Sequence, residues 1–199
     1  MKTILVTGFE PFLNHEDNPT RKIAAAIDGE VIGEYVVKAA VLPVTFSEAA
    51  GKVKEKIEET NPDAVMMLGL AAGRNRITPE RVAINCNDGE VDNNGVKKQD
   101  EEIIEGGPAA YFSTLPIRTF VDRLTEAGIP AAISNTAGTY VCNNIMYQTL
   151  HYLKERDLSI PAGFIHVPAS HQMALQKHGL ASMSEEEMLR AVRLMIEAM

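Results

Sequence analysis

Apolar positions along the chain follow two periods, one suited to strands and one to helices. "KTILVTGF" is a short apolar run closed by Gly8 and predicts a strand. "NPTRKIAAAIDG" predicts a helix, with Asn18 or Thr20 placed to cap it and Gly29 placed to stop it. The β-branched "EYVVKAAVLPV" predicts a second strand, and "SEAAGKVKEKIEETNP" repeats its apolar positions near every 3.6 residues, as a helix with one polar face does. "DAVMMLGLA" is apolar throughout, the pattern of a strand covered on both faces in a parallel sheet. Further on, "PIRTFVDRLTEAGI" predicts a helix with Pro116 in its first turn, and "PAAISNTAG" a strand. "NNIMYQTLHYLKER" predicts an amphipathic helix, "IPAGFIHVP" a strand stopped by Pro168, and "SEEEMLRAVRLMIEAM" a helix opened by a capping box from Ser184 to Glu187.

Strands alternating with helices predict an α/β fold, a three-layer α/β/α sandwich with a twisted, largely parallel sheet. The middle is less regular. "RITPERVAINCND" predicts an extended pair around Pro79, and "DGEVDNNGVKKQDEEIIEGGP" a polar surface loop, the segment expected to be most mobile. In such sheets ligands gather beyond the carboxyl ends of the strands. Gly8 to Phe12, Leu70 to Arg74, Gly138 to Cys142 and His166 to Pro168 all fall there.

Composition narrows the function classes. With 199 residues, 45% of them hydrophobic, one domain spanning 1–199 is expected. A net charge of −8 and scattered Lys and Arg argue against a nucleic-acid partner. "MKTILVTGFEPF" is not a signal peptide, and no stretch approaches the roughly 20 apolar residues of a membrane span. A cytoplasmic protein off the membrane is expected, with Cys86 and Cys142 as free thiols. No Cys/His cluster has zinc spacing, no Asp-rich calcium loop is present, and "LGLAAGR" lacks the P-loop ending, so neither metal nor cofactor is expected.

Cys142 is the first chemical candidate. A free cysteine is by default a packed apolar residue. Here it follows the turn-prone "TAGT" and precedes an amphipathic helix, where backbone amides and the helix dipole favour a thiolate and can hold an oxyanion. Of the five histidines, only His166 ends a predicted strand and shares an edge of the sheet with Cys142; His15, His171 and His178 lie in loops or near a helix end, and His151 lies inside a helix. Glu80 could orient that imidazole, although a solvated charge or a partner for Arg81 is its ordinary reading. Phe9 and Phe12 flank a Glu-Pro turn and by themselves read as core. The residues alone leave both readings of each position open.

Taken in order, "TGFEPF", "NPT", "LPVTF", "GLAAGR", "PERVAIN", "GPAAYFSTLPI", "GIPAAISNTAGTYVCN" and "GFIHVP" resemble the pyroglutamyl peptidase I family of cysteine peptidases over nearly the whole chain. The resemblance implies a phosphorylase/hydrolase-like sandwich, a catalytic triad of Glu80, Cys142 and His166, and removal of an N-terminal pyroglutamyl residue from peptides without a cofactor. It also implies a homo-oligomer, as a tetramer. Pyroglutamate is an uncharged flat lactam, so its pocket needs apolar faces, one acceptor and one donor. Phe9 and Phe12 match family positions lining that pocket, and Thr45, Leu70 and Tyr140 fall in blocks beside it.

Three positions depart from the family pattern. Leu70 stands for a glutamine, Tyr140 for a common phenylalanine, and "DGEVDN" for a longer "DARIPDN" whose arginine lies near the active site. Arg74 or Arg81 is placed to compensate. Two other readings share the scaffold: a purine nucleoside phosphorylase-like transferase, for which Arg74 is the only phosphate-holding candidate, and a catalytically idle binding homologue.

Overall fold

The computed structural model describes residues 1–13 and 17–199; His15 falls outside them. In chain order the elements are β1 (Lys2–Phe9), α1 (Pro19–Ile27), β2 (Val31–Ile32), β3 (Tyr35–Leu42), α2 (Ala49–Thr60), β4 (Ala64–Leu70), β5 (Thr78–Pro79), β6 (Val82–Ile84), β7 (Ala110–Phe112), α3 (Ile117–Glu126), α4 (Val141–Glu155), β8 (Ala162–Val167), β9 (Ala169–Ser170), α5 (His171–Gln176), β10 (Ser182–Met183) and α6 (Glu185–Glu197). The main sheet runs β2-β3-β1-β4-β8-β5. Its four central strands are parallel, and the short edge strands β2 and β5 are antiparallel to their neighbours.

Side-chain alternation along the strands divides the interior in two. Ile4, Val6, Met66, Leu68, Ile165 and Val167 point to one face, where they pack with Ile23 of α1, Phe120 of α3 and Met188 and Val192 of α6. Leu5, Val65, Met67 and Phe164 point to the other, against Val53 and Ile57 of α2 and Ile145 and Leu150 of α4. This is the expected three-layer α/β/α sandwich. The caps follow the sequence as well: Asn18 accepts from the Thr20 amide to open α1, and Ser184 accepts from the Glu187 amide to open α6.

Three local differences matter for the site. "PAAISNTAG" is not a regular strand but an extended segment bridging Ile77 to Ala131 and Glu80 to Ser134. Ala132 and Ser134 donate to the Ile77 and Pro79 carbonyls, but Pro79 has no N–H to return, so the ladder is interrupted there. Second, α4 begins at Val141, with the Tyr140 carbonyl accepting from the Asn144 amide, so Cys142 lies inside the first turn rather than before it. Third, the "DGEVDN" loop is pinned. Asp92 is buried, one carboxylate oxygen accepting from the Phe46 amide and the other from the amides of Asn94 and Val96.

Candidate active site

Strand β8 aims His166. Phe164 and His166 are two residues apart and therefore share the face that packs on α4. Strand β5 runs antiparallel to β8 with Thr78 opposite His166 and Pro79 opposite Ile165, and the Glu80 amide donates to the Phe164 carbonyl. Glu80 thus arrives diagonally across from His166 on the same face. Its Oε1 accepts from His166 Nδ1 at 2.6 Å, and the same oxygen accepts from Arg74 Nη1, also at 2.6 Å. Arg74 Nη1 additionally donates to Thr78 Oγ1 at 2.5 Å. Glu80 is fully buried, whereas the Arg74 side chain is 31% exposed. Glu80 Oε2 has no hydrogen-bond partner among the described residues.

Cys142 reaches the same place from the opposite layer. Its Sγ lies over Gly69, which pairs with His166 across the β4–β8 ladder. A Cβ on Gly69 would sit 3.1 Å from that sulfur and 2.4 Å from Phe164 Cζ, so the bare backbone there is what admits both groups. Cys142 is the second residue of α4, where the first-turn amides lack intrahelical acceptors and point outward.

Those amides and the helix dipole do not produce a resting thiolate. Burial, followed by the Glu80 charge, pushes the Cys142 thiol up to about 12, against a smaller downward pull from Arg74 and the backbone. Burial also lowers His166, outweighing the opposing hydrogen bond and charge of Glu80, and Arg74 adds to the lowering. For Glu80, burial works to raise the pKa, but the His166 hydrogen bond and charge, with help from Ser134 and Arg74, leave it below its ordinary value. At neutral pH the resting trio is therefore a thiol, a neutral imidazole and a carboxylate.

The His166 shift carries a stability consequence with a definite sign. Below the ordinary value of 6.5 the unfolded chain takes up a proton that the folded chain refuses, so stability falls as pH drops through that window. Glu80 adds a second loss below 4.5, where the unfolded chain protonates first. Calorimetry should show the melting temperature falling between about pH 7.5 and pH 5.5, and falling less in His166→Gln. Equal falls in the two proteins would contradict this assignment.

The remaining sequence candidates surround this trio. Phe9, buried at the end of β1, has its ring 6.5 Å from that of Phe164, which lies 4.8 Å from the His166 ring. Phe12 stacks obliquely on Tyr140 at 6.2 Å, and Phe46 meets Tyr140 edge-on at 5.3 Å. Thr45 is buried, its Oγ1 accepting from the Glu48 amide at the start of α2. Leu70 stands one residue past Gly69 and so on the opposite face of β4, in a cluster with Ala169 and Met173 against which Phe12 packs.

Two of the departures noted in the sequence touch each other. Tyr140 donates its hydroxyl to the Val91 carbonyl at 3.0 Å, and a Cβ on Gly89 would come within 2.9 Å of the Tyr140 ring, so "DGEVDN" is fitted to a tyrosine. Glu10 ties the same loop to the Phe9–Phe12 turn, its Oε1 accepting from Asn93 Nδ2 at 3.0 Å and from the Val44 amide at 3.3 Å. Of the two arginines placed to compensate for the missing one, Arg81 donates to exposed Asn135 and Arg74 is held on Glu80.

Sequence reading missed Gly69, Phe164, Phe46, Glu10 and Asp92. Phe164 carried a usable signal, since it lies two residues before His166 on one strand and must share its face. His151 bonds Tyr111 and His171 bonds Ser182, each outside this cluster.

Known proteins resemble this chain along its whole length. The family model described as pyroglutamyl peptidase matches residues 2–199. A pyrrolidone-carboxylate peptidase of Halalkalibacterium halodurans is 53% identical over 195 residues, 98% of this chain and 97% of the relative. One from Oceanobacillus iheyensis is 49% identical, covering 98% of each chain. The solved pyrrolidone carboxyl peptidase of Thermococcus litoralis superposes with a TM-score of 0.96 at 41% identity, over 100% of this chain and 93% of that one. Such agreement along the full length, in sequence and in fold, places the chain in the pyroglutamyl peptidase family.

Proposed function

We propose that this protein is a cysteine exopeptidase that removes the N-terminal pyroglutamyl residue from peptides, with Cys142 as nucleophile, His166 as general base and acid, and Glu80 as the group that orients it. The observation that carries the reading is the 2.6 Å bond from His166 Nδ1 to Glu80, made on the sheet face where Cys142 Sγ lies over Gly69. A carboxylate on Nδ1 places the imidazole proton there and leaves Nε2 as the free base.

Because the thiol is protonated at rest, proton transfer to His166 accompanies the attack rather than preceding it. The sulfur adds to the pyroglutamyl carbonyl carbon, and first-turn amides of α4 hold the oxyanion. As the C–N bond breaks, imidazolium gives its proton to the departing amine and a thioester remains. Water, deprotonated by His166, then displaces the sulfur, which recovers its proton as pyroglutamate leaves. Glu80 stabilises the imidazolium throughout. Phe9, Phe12 and Tyr140 supply apolar walls for a lactam that carries no α-amine charge, whereas Leu70 faces away from the cluster and supports it through Phe12, and Thr45 braces the start of α2.

The phosphorylase alternative loses its only phosphate-holding candidate, because Arg74 is engaged with Glu80. The whole chain acts as one catalytic domain, a reading supported by the family match over residues 2–199. Residence in a reducing cytoplasm suits two cysteines that stay unpaired, and among the described residues no helix is long and apolar enough to cross a membrane. Assembly as a homo-oligomer, taken as a tetramer, rests on the family resemblance alone.

The test is hydrolysis of a pyroglutamyl aminomethylcoumarin amide beside its prolyl counterpart. Turnover of the first only, lost in step with iodoacetamide labelling of Cys142, is expected. Stoichiometric labelling that leaves cleavage undiminished would reject the reading.

A further inference from the structure

We propose that Arg74 is a positioning residue of the triad, which fixes the Glu80 carboxylate under His166 and, by its charge, keeps the imidazole neutral as a base while easing ionisation of the Cys142 thiol. This rests on the peptidase reading and deepens it. Arg74 lies in the loop after β4, outside the strands that carry Glu80 and His166, yet its Nη1 reaches the one oxygen of Glu80 that also receives His166. Thr78, two residues before Glu80 and opposite His166, holds the same nitrogen from the side. The guanidinium is thus aimed by two acceptors on β5 and its continuation. Sharing Oε1 in this way has a chemical effect: a carboxylate half-committed to a permanent cation stabilises an imidazolium less than a free one does.

The charged and titratable groups around this centre come from several elements. Glu80 and Arg74 face His166; Glu80, Arg74 and the Tyr140 hydroxyl face Cys142; His166 and Arg74 face Glu80. Arg74 is the only permanent cation in that set, and it opposes protonation at both His166 and Cys142. Removing it raises both. The base is then lost at a higher pH, and the thiol ionises less readily.

The experiment compares wild type with Arg74→Gln, Arg74→Met and Arg74→Lys, with circular dichroism to verify the fold. Two profiles are read: kcat/KM against pH on a pyroglutamyl amide, and the rate of iodoacetamide labelling at Cys142, which needs no peptidase activity. In the two neutral variants the acid limb should move up by about one unit, with labelling near pH 8 slower by up to about tenfold. Arg74→Lys should restore both profiles most of the way. Folded neutral variants with unmoved limbs and wild-type labelling would overturn the proposal, as would neutral variants that cannot fold while Arg74→Lys can, since either result makes Arg74 merely structural. A wild-type protein that labels but cleaves no pyroglutamyl amide would instead defeat the peptidase reading, and the labelling rates would still decide the role of Arg74.

Discussion

Cys142→Ser will lose at least about a thousandfold in kcat/KM toward a pyroglutamyl amide, some 4 kcal/mol of transition-state stabilisation, with its melting temperature almost unchanged. The substitution exchanges one small atom for another of similar shape, so the fold has little reason to respond. The chemistry does. A hydroxyl gives up its proton far less readily than a thiol, and this site already disfavours the anion through burial and the Glu80 charge. His166→Ala should be equally severe, because His151 and His171 are bonded elsewhere and, of these three, only His166 holds Glu80. Glu80→Gln should cost less, about a hundredfold, since an amide oxygen can still accept from Nδ1 while the charge that steadies the imidazolium is gone. Steady-state kinetics on the three purified variants checks the ranking. A serine variant with wild-type turnover would exclude the thiol mechanism.

The second large effect is expected at a residue with no side chain. In Gly69→Ala the new methyl would stand 2.4 Å from Phe164 Cζ, 2.6 Å from Cε1 and 3.1 Å from Cys142 Sγ. The first two contacts are closer than carbon atoms tolerate, and Phe164 sits in a packed interior with no exposed side to swing toward. Either its ring shifts, carrying the His166 surroundings with it, or β4 separates from α4. Overpacking of this kind costs about 1–3 kcal/mol, or roughly 2–12 °C in melting temperature for a chain of this size. Activity should fall further, on the order of a hundredfold, because a displacement near 1 Å spoils the alignment of sulfur and imidazole. Kinetics with calorimetry on Gly69→Ala decides it. Wild-type kcat would show that the sulfur does not depend on the bare backbone.

The long elements were legible because one physical signal dominated each. The apolar runs of β1, β4 and β8 and the 3.6-residue spacing of α2, α3 and α6 leave few alternatives once both faces of a sheet must be covered. The trio was legible for a different reason. Cys142, His166 and Glu80 fall at element ends, where an α/β sheet brings distant segments together, and the family blocks then singled them out. What stayed hidden is set by tertiary contact. Pro79 interrupts a ladder whose partner segment looks like an ordinary strand in isolation, so 131–134 became extended chain instead. The dipole at the start of α4 argued for a thiolate, but burial and Glu80 outweigh it, and neither is visible in a linear reading. Asp92 looked like one more polar residue in a loose loop, and only its three backbone partners reveal it as the loop's anchor. Gly69 was masked by its own run of apolar neighbours.

In this mechanism the pyroglutamyl group passes through a thioester on Cys142. Acid quenching during turnover of a pyroglutamyl ester or amide, followed by digestion and mass spectrometry, tests it directly. The peptide containing Cys142 should carry one pyroglutamyl group, and the peptide containing Cys86 none. Sustained turnover with an unmodified Cys142 peptide at every quench time, or with the acyl group on another residue, would rule out Cys142 as the nucleophile.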